Sequence, residues 1–488
     1  MSINPTSTVK AASKASESNV QSCIVHFLPD NYVWGGIETY LANMLPILSK
    51  ESPHRIVAIV TQGGRLYDTL KASGVEVYGI PFPFKKHSLV RSAWVNPWLR
   101  MFDLKIYWDL IPLLKKLSPD LVHLHCGRIE QRLIHLAGFP LVYTYHGYGG
   151  PYSIEASDSW IAKQFNTLAR PLFQWLVPAL SGMLVVSQYE YKRLYREKYL
   201  PKSFQAQVLH NGIPMQQLKA AAAQSSRSAL RQSWSVDDNT RVIGYMCRLR
   251  ADKNPLALLK IAKQVIRRAD RKNPVFFLVA GDGKLADQIA KAFEPGGELY
   301  GYGRYVGFRN DIPALINACD ITISTSLHEG FGLRVLESML FGKPSIAYAV
   351  GGIPEVYGHT INTINGHDSQ SQLTPFEPGK DWLIEKGDEA AFISCLTEVI
   401  NWPNERFAAL AAEMETHAHQ FDLPNHIQQL NRFYEETVMR LGIDFTPSPG
   451  VSSLQVPKSL APESQALKSQ TAGPEEKSSP EPDLSSIS

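Results

Sequence analysis

A doubled alternation constrains the fold of this chain more than any other feature. From Ser22, short apolar runs rich in β-branched residues (SCIVHFLP, RIVAIVTQ, GVEVYGIPF, DLVHLHC, LVYTYHG, MLVVS, QVLHNGI) are spaced by longer amphipathic stretches such as IETYLANMLPILSK. The runs are apolar throughout instead of alternating in and out, so both faces are covered, as in a parallel sheet between two layers of helices. After an Ala-, Gln- and Ser-rich stretch the alternation restarts with RVIGYMC, PVFFLVAG, YVGF, ITISTS and PSIAYAV, spaced by PLALLKIAKQVIRRA and DIPALINAC. The expected fold class is α/β, with two Rossmann-like, doubly wound domains facing each other across a cleft.

Boundaries follow from the breaks in this pattern. Residues 21–213 are expected to form the first domain, 214–240 a connector with a helix, 241–410 the second domain, and 411–443 helices that cross back to the first. The ends, 1–20 and 444–488, are poor in aromatics and rich in Ser and Pro or Ala, and are expected to be disordered tails. With 49 Lys+Arg against 46 Asp+Glu in 488 residues, the net charge of +3 gives no reason to expect a nucleic-acid partner. Five dispersed cysteines, in no CxxC pairing, indicate neither a disulfide framework nor a zinc site, which fits a reducing compartment. The N-terminus lacks the apolar core of a secretory signal, and the most apolar stretch, from Pro171, is broken by Pro178, Ser181 and Gly182. A cytoplasmic location is expected.

Ligands of open α/β sheets bind beyond the C-terminal ends of the strands. After ITISTS comes SLHEGFGLRVLESMLFGKPSIAYAVGGIPE, Ser326 to Glu355. Gly330 and Gly332 allow a tight turn into a helix near Leu333, so the amides of Gly330, Phe331, Gly332 and Leu333 can face an anion with the helix dipole behind them. Glu329 and Glu337 flank that phosphate seat and are better suited to hydroxyls, since carboxylates repel phosphate. The combination points to a nucleotide sugar, although a Gly-x-Gly at a helix start is also an ordinary tight turn.

The extended string resembles the signature of retaining GT-B glycosyltransferases of family four, and the resemblance covers about 30 residues. It implies that Glu329 contacts donor-sugar hydroxyls and Glu337 the ribose, with the diphosphate on the amides of 330–333. Arg334 and Ser338 depart from the usual small or aliphatic residues. In GYMCRLRADKNP, the resemblance makes Arg248 and Lys253 the cations that neutralise the departing diphosphate, with no metal ion. It places Gly35 and Gly36 of YVWGGIETY, and His146 of YTYHGYGG, at the cleft, while Glu38 is assigned only to a helix N-terminus. Val306 and Phe308 of RYVGFRND become neighbours of the base, and GDGKLA is read as a pocket wall, not as a dinucleotide fingerprint.

The implied activity is transfer of a sugar from a nucleoside diphosphate sugar (UDP- or GDP-linked) to a carbohydrate or lipid-linked hydroxyl, with retention, in polysaccharide or glycolipid synthesis. Nucleotide-sugar epimerases, sugar phosphorylases and catalytically silent binding proteins share the architecture and stay open as alternatives. Finally, 85–116 combines Lys85, Lys86, Arg91, Arg100, Lys105, Lys115 and Lys116 with Trp94, Trp98 and Trp108. Such a segment suits peripheral contact with an anionic membrane on its cytoplasmic face, or packs its tryptophans onto the sheet.

Overall fold

The computed structural model describes residues 22–28, 34–81, 104–125, 129–147, 177–268, 273–359 and 382–443. The expected tails, the segment 85–103, and the polar stretch 360–381 lie outside them.

The first domain carries β1 (Cys23–Leu28), β2 (Arg55–Thr61), β3 (Glu76–Ile80), β4 (Leu121–Leu124), β5 (Leu141–Tyr145), β6 (Gly182–Val185) and β7 (Gln207–Val208). They form one sheet in the order β3-β2-β1-β4-β5-β6-β7, all pairs parallel. β1, β4 and β5 are buried along their whole length, which is why their sequences show no in/out alternation. The second domain carries β8 (Arg241–Met246), β9 (Val275–Ala280), β10 (Gly303–Tyr305), β11 (Ile321–Ser324), β12 (Ser345–Tyr348) and β13 (Leu383–Ile384), in the order β10-β9-β8-β11-β12-β13. In each sheet the chain works outward from its first strand and then returns to that strand's other side. The direction reverses between β1 and β4, and between β8 and β11. These two switch points open a crevice each, and the crevices face one another across the cleft between the domains.

Three expectations need correction, and one strand was not expected. The strand read as YVGF is Gly303–Tyr305, and Val306–Phe308 belong to the loop after it. β13 had no counterpart in the sequence reading, because two residues show no period. The stretch 214–240 carries two helices, Met215–Ala223 and Arg227–Ser233, and it belongs to the second domain's packing. Arg227 and Arg231 pair with Asp320 at 2.5 and 3.1 Å, and Trp234 joins the core around Val242 and Leu278. Residue 410 is no boundary, since it lies inside helix Asn404–Ala418; a Cβ on Gly342, behind helix Leu333–Leu340, would sit 2.5 Å from Ala411 Cβ.

Helix Leu423–Arg440 packs on the first domain. Leu423, Ile427, Leu430, Phe433 and Tyr434 join the core formed by Ile24, Leu121, Val142 and Leu184. Burying five such side chains contributes at most roughly 15 kcal/mol. Gly182 and Gly212 make room for it: a Cβ would stand 2.9 Å from Phe433 Cζ at the first and 2.7 Å from His426 Cβ at the second. Ile213 and Leu423 are tied by backbone bonds, Ile213 donating to Phe421 O and Leu423 to Ile213 O, each at 3.0 Å.

Candidate active site

The loops after β8 and β11 lie side by side because their strands pair, and they bring Arg248, Lys253 and Glu329 together. Lys253 closes a short 3-10 turn, Ala251–Lys253, whose following residue, Asn254, takes a left-handed conformation (φ 50°). Three bonds brace this turn: Tyr245 OH to Lys253 O (2.7 Å), Thr325 Oγ1 to Asn254 O (2.9 Å), and Leu327 N to Asp252 O (2.9 Å). Lys253 Nζ is thereby aimed at Glu329, 2.6 Å from Oε1, while Ser326 Oγ donates to the same oxygen at 2.9 Å. Both charged side chains keep about a fifth of their surface open (19% and 23%), so a ligand can exchange into the pair.

Beyond Glu329 the chain enters helix Leu333–Leu340 through Gly332, whose φ of 106° lies in the region that favours glycine. No side chain caps this helix. Val335 and Leu336 already bond back to Gly332 O, whereas the preceding amides belong to the first-turn groups that need an outside acceptor. Gly351 and Gly352 back the turn: a Cβ on Gly351 would fall 1.6 Å from Glu329 O, so only glycine permits the approach. Phe331 is buried against His210 and Phe421 and acts as an anchor, with ring centroids 5.3 and 5.6 Å away.

The first domain closes over this seat at two glycines. A Cβ on Gly35 would stand 1.4 Å from Arg248 Nη2, so the guanidinium lies directly on the Gly35 backbone. A Cβ on Gly330 would stand 2.1 Å from His146 O, so the loop after β5 rests on the turn after β11. Gly36 begins helix Gly36–Glu51 and has open space where a Cβ would be. Burial depresses the Arg248 pKa below its ordinary value, and the Glu38 carboxylate counteracts this. Glu38, itself buried, therefore does more than sit at a helix N-terminus: it supplies countercharge to Arg248.

Two predicted ligand positions look different in space. Glu337 is buried and ion-paired with Arg334 one turn earlier, and burial raises its pKa, partly offset by Arg334. Arg334, a departure from the family pattern, thus supplies the partner of Glu337. Val306 donates its amide to Val279 O at 2.9 Å and packs toward the Trp234 and Leu278 cluster. Phe308, by contrast, is 50% exposed and meets Arg65 of the first domain, whose guanidinium lies 5.1 Å from its ring, 4.4 Å from Trp34, and 2.5 Å from Asn310 Oδ1. In GDGKLA, Gly281 and Gly283 (φ 145° and 153°) press against Cys247 O and Leu249 O, so these glycines serve strand-loop packing.

Sequence reasoning also missed the interdomain contacts. Glu355 accepts from Gln188 N (2.7 Å) and Tyr189 N (2.8 Å), at the start of helix Gln188–Arg196, and pairs with His210 Nε2 at 2.8 Å. His328 meets Glu190 at 3.0 Å, and Glu190 is neutralised in turn by Arg193. The contacts of Glu355 and the His328–Glu190 pair each join residues over 100 positions apart, for which the sequence holds no local signal. His146 is linked through His125 to a buried group of histidines, of which His26, His123 and His125 bring ring nitrogens within 4.8 Å of one another. Of segment 85–116, Trp108 on helix Leu104–Leu117 is 71% exposed, with Lys115 and Lys116 also exposed. Among the described residues no helix is long and apolar enough to cross a membrane.

Residues 226–372 match the family described as Glycosyl transferases group 1, and 34–217 match Glycosyltransferase Family 4. The chain is 26% identical over 395 residues to an Escherichia coli UDP-Gal:alpha-D-GlcNAc-diphosphoundecaprenol alpha-1,3-galactosyltransferase, covering 79% of this chain and 89% of the relative. It is 23% identical to the putative glycosyltransferase EpsD of Bacillus subtilis (strain 168), covering 73% and 86%. Among solved structures, it shares its fold with Anabaena Alr3699/HepE in complex with UDP and glucose (TM-score 0.61, 18% identity, 85% of this chain and 100% of that one). The two family matches adjoin in chain order and fall one on each sheet. The chain thus belongs to the GT-B glycosyltransferases of group 1 and family 4, which transfer a sugar from a nucleoside diphosphate sugar to an acceptor.

Proposed function

We propose that this enzyme transfers a hexose from a UDP-sugar, with retention of configuration, to a hydroxyl of a lipid-linked saccharide at the cytoplasmic face of a membrane. The observation that carries the site assignment is the meeting of Arg248, Lys253 and an uncapped helix N-terminus at one switch point, with Gly35 of the other domain against Arg248. In this reading the diphosphate lies on the amides of 330–333, and Arg248 and Lys253 take up the charge that grows on its outer oxygens as the C1–O bond breaks. Glu329, released from Lys253 as phosphate arrives, receives donor-sugar hydroxyls. Glu337 takes the ribose hydroxyls after Arg334 swings aside, and Phe308 with Arg65 flanks the base. The acceptor oxygen bonds to C1 on the face the phosphate leaves. Its proton passes to the departing phosphate oxygen, so no protein nucleophile is needed, and catalysis rests on charge stabilisation and positioning.

The uridine assignment is supported by the UDP in the Anabaena structure, and the lipid-linked acceptor by the diphosphoundecaprenol named for the E. coli relative. Trp108 beside Lys115 and Lys116 supports a membrane-facing surface on the first domain. The test is a thermal-shift screen of UDP-, GDP- and ADP-sugars, then mass analysis of products formed with a prenyl-diphosphate sugar. A UDP-sugar should raise Tm and be consumed only with acceptor present. Turnover without acceptor would indicate an epimerase, and a requirement for free phosphate a phosphorylase. Failure to float with anionic vesicles would remove the membrane from the assignment.

A further inference from the structure

Residues 327–329, between β11 and the turn at Gly330, are tied to the second domain through their backbone. Leu327 N donates to Asp252 O at 2.9 Å, His328 O accepts from Lys253 Nζ at 3.3 Å, and Glu329 O accepts from Gly352 N at 3.3 Å. The His328 side chain, by contrast, crosses to the first domain, where its Nε2 stands 3.0 Å from Glu190 Oε1. The Glu190 side chain is wholly buried, and that of His328 is 19% exposed. Burial pushes the Glu190 pKa up, but the His328 contact and the Arg193 guanidinium outweigh it and hold the carboxyl below its ordinary range. Glu190 is therefore an anion that can only accept, so the His328 nitrogen facing it carries a proton.

Glu190 is a firm anchor for that ring. It stands in the first turn of helix Gln188–Arg196, where its amide donates to Ser187 Oγ at 3.2 Å. Arg193 Nε donates to its other carboxylate oxygen at 2.7 Å, and the same guanidinium binds Glu197 at 3.1 Å and the Tyr145 hydroxyl at the end of β5. A Cβ on Gly147, which has a φ of 80°, would stand 3.2 Å from Glu190 Oε1 and 2.5 Å from Gly330 Cα, so the loop after β5 passes between the two. An acid in a first helical turn ordinarily answers the helix dipole from the surface. Glu190 is buried, and it turns one oxygen to its own helix and the other to the opposite domain.

We propose that His328 is a positioning residue for Lys253: Glu190 of the first domain holds its ring, and the ring holds the backbone of 328 and 329, against which the ammonium is aimed. Lysine carries its charge on a flexible four-carbon stem, so its place is set by the acceptors around it. Here those are His328 O and Glu329 Oε1, the latter at 2.6 Å, from adjacent residues. That Lys253 takes up charge from the leaving diphosphate is part of the proposed function, and the inference rests on that reading. What it adds is the residue that aims the cation. Both cations of the site are then set by the first domain, Arg248 by the backbone of Gly35 and Lys253 by Glu190 through His328.

The test uses the full chain and the initial rate of nucleoside diphosphate release, with whichever of the UDP-, GDP- and ADP-sugars the wild type turns over. His328→Ala should lower kcat by about 10–100-fold, because a misplacement of about 1 Å costs on that order. His328→Gln sets an amide nitrogen near the place of Nε2 and should recover kcat to within about fivefold of wild type, whereas His328→Asn, too short to reach Glu190, should behave as His328→Ala. The deciding measurement is the double variant His328→Ala/Lys253→Met. A residue that acts through Lys253 adds no loss to that of Lys253→Met, while one that merely holds the domains together lowers kcat equally in both backgrounds. Additive losses, a His328→Ala kcat within about twofold of wild type, or a Gln variant no better than Asn would overturn the inference. Should His328→Ala fail to fold, the Gln and Asn variants read the same reach without emptying the site. Wild-type activity of Lys253→Met would overturn the proposed site and this inference together. Activity lost in Lys253→Met and kept in His328→Ala would overturn this inference alone. Turnover of a GDP- or ADP-sugar in place of a UDP-sugar would correct the proposed donor and leave the inference standing.

Discussion

Gly35→Ala tests the arrangement of Arg248, the proposed catalytic cation, more sharply than removing the cation itself. Gly35 is extended (φ −150°, ψ −161°), a conformation alanine adopts without strain, so the backbone does not object. The added methyl would stand 1.4 Å from Arg248 Nη2, and ordinary contact needs about 3.5 Å, so the guanidinium must retreat by about 2 Å. It can do so cheaply, being the far end of a flexible side chain. A misplacement of about 1 Å already costs on the order of 100-fold, and loss of one preorganised donor costs about 10²–10³ in kcat, or roughly 3–4 kcal/mol. We expect Gly35→Ala to lower kcat by about 100-fold or more while leaving Tm within about 2 °C. The assay is initial-rate release of nucleoside diphosphate from the donor identified by the thermal-shift screen. The double variant Gly35→Ala/Arg248→Ala should be no worse than Arg248→Ala alone, because both remove one interaction. Activity of Gly35→Ala within a few-fold of wild type, or additive losses in the double variant, would refute the reasoning.

Lys253→Met should also cost about 10²–10³ in kcat, measured in the same assay, since a second cation is lost from the leaving group. Arg334→Ala should leave Glu337 buried without its partner; a fall in Tm with tighter nucleotide binding by calorimetry is expected, and weaker nucleotide binding would exclude Arg334 as a competitor for Glu337. Glu355→Ala strips the acceptor from two amides of helix Gln188–Arg196 and should cost about 1–3 kcal/mol, read as a lower Tm by calorimetry. Burial lowers His26 and His146 to about 3, and His426 to about 4, from an ordinary 6.5. Below pH 6.5 the unfolded chain therefore binds protons that the folded protein does not. Stability present above pH 6.5 is lost as pH falls toward 4, by at most about 4 kcal/mol per pH unit for the three groups. A Tm that stays flat between pH 7 and pH 5 would count against their burial in neutral form.

The fold class was legible because it is written in long, redundant patterns: every buried strand of both sheets repeats the same apolar run. The turn proposed to hold the phosphates was legible for a related reason, since Gly330, Gly332, Glu329 and Glu337 are local in sequence and lie on one turn and helix. What was not legible is non-local. Glu38 reads as an ordinary first-turn acid, and only the fold brings Arg248 to it. Val306 reads as a neighbour of the base, yet its amide bonds to Val279 O and its side chain packs toward the Trp234 cluster. The histidines of VHFL and VHLH did carry a signal, a polar residue at an inward position of a fully buried strand. A partner for such residues is required, but Tyr434, hydrogen-bonded to His123 from some 300 positions away, could not be named without the structure. β13 is too short to show any period.

Helix Leu423–Arg440 also fixes when the first domain can finish folding. Its five core side chains, Tyr434 among them, complete the core on one face of a sheet whose last strand ends at Val208, so that core stays open until the entire second domain has been made. At 5–20 residues per second, about 10–50 s separate the two events. During synthesis an apolar surface is therefore exposed to the nascent chain's surroundings, and a truncation anywhere before Leu423 would leave it so permanently. The enzyme's two halves are joined in space like pages bound at one edge, but in time the first is closed by the last helix of the second.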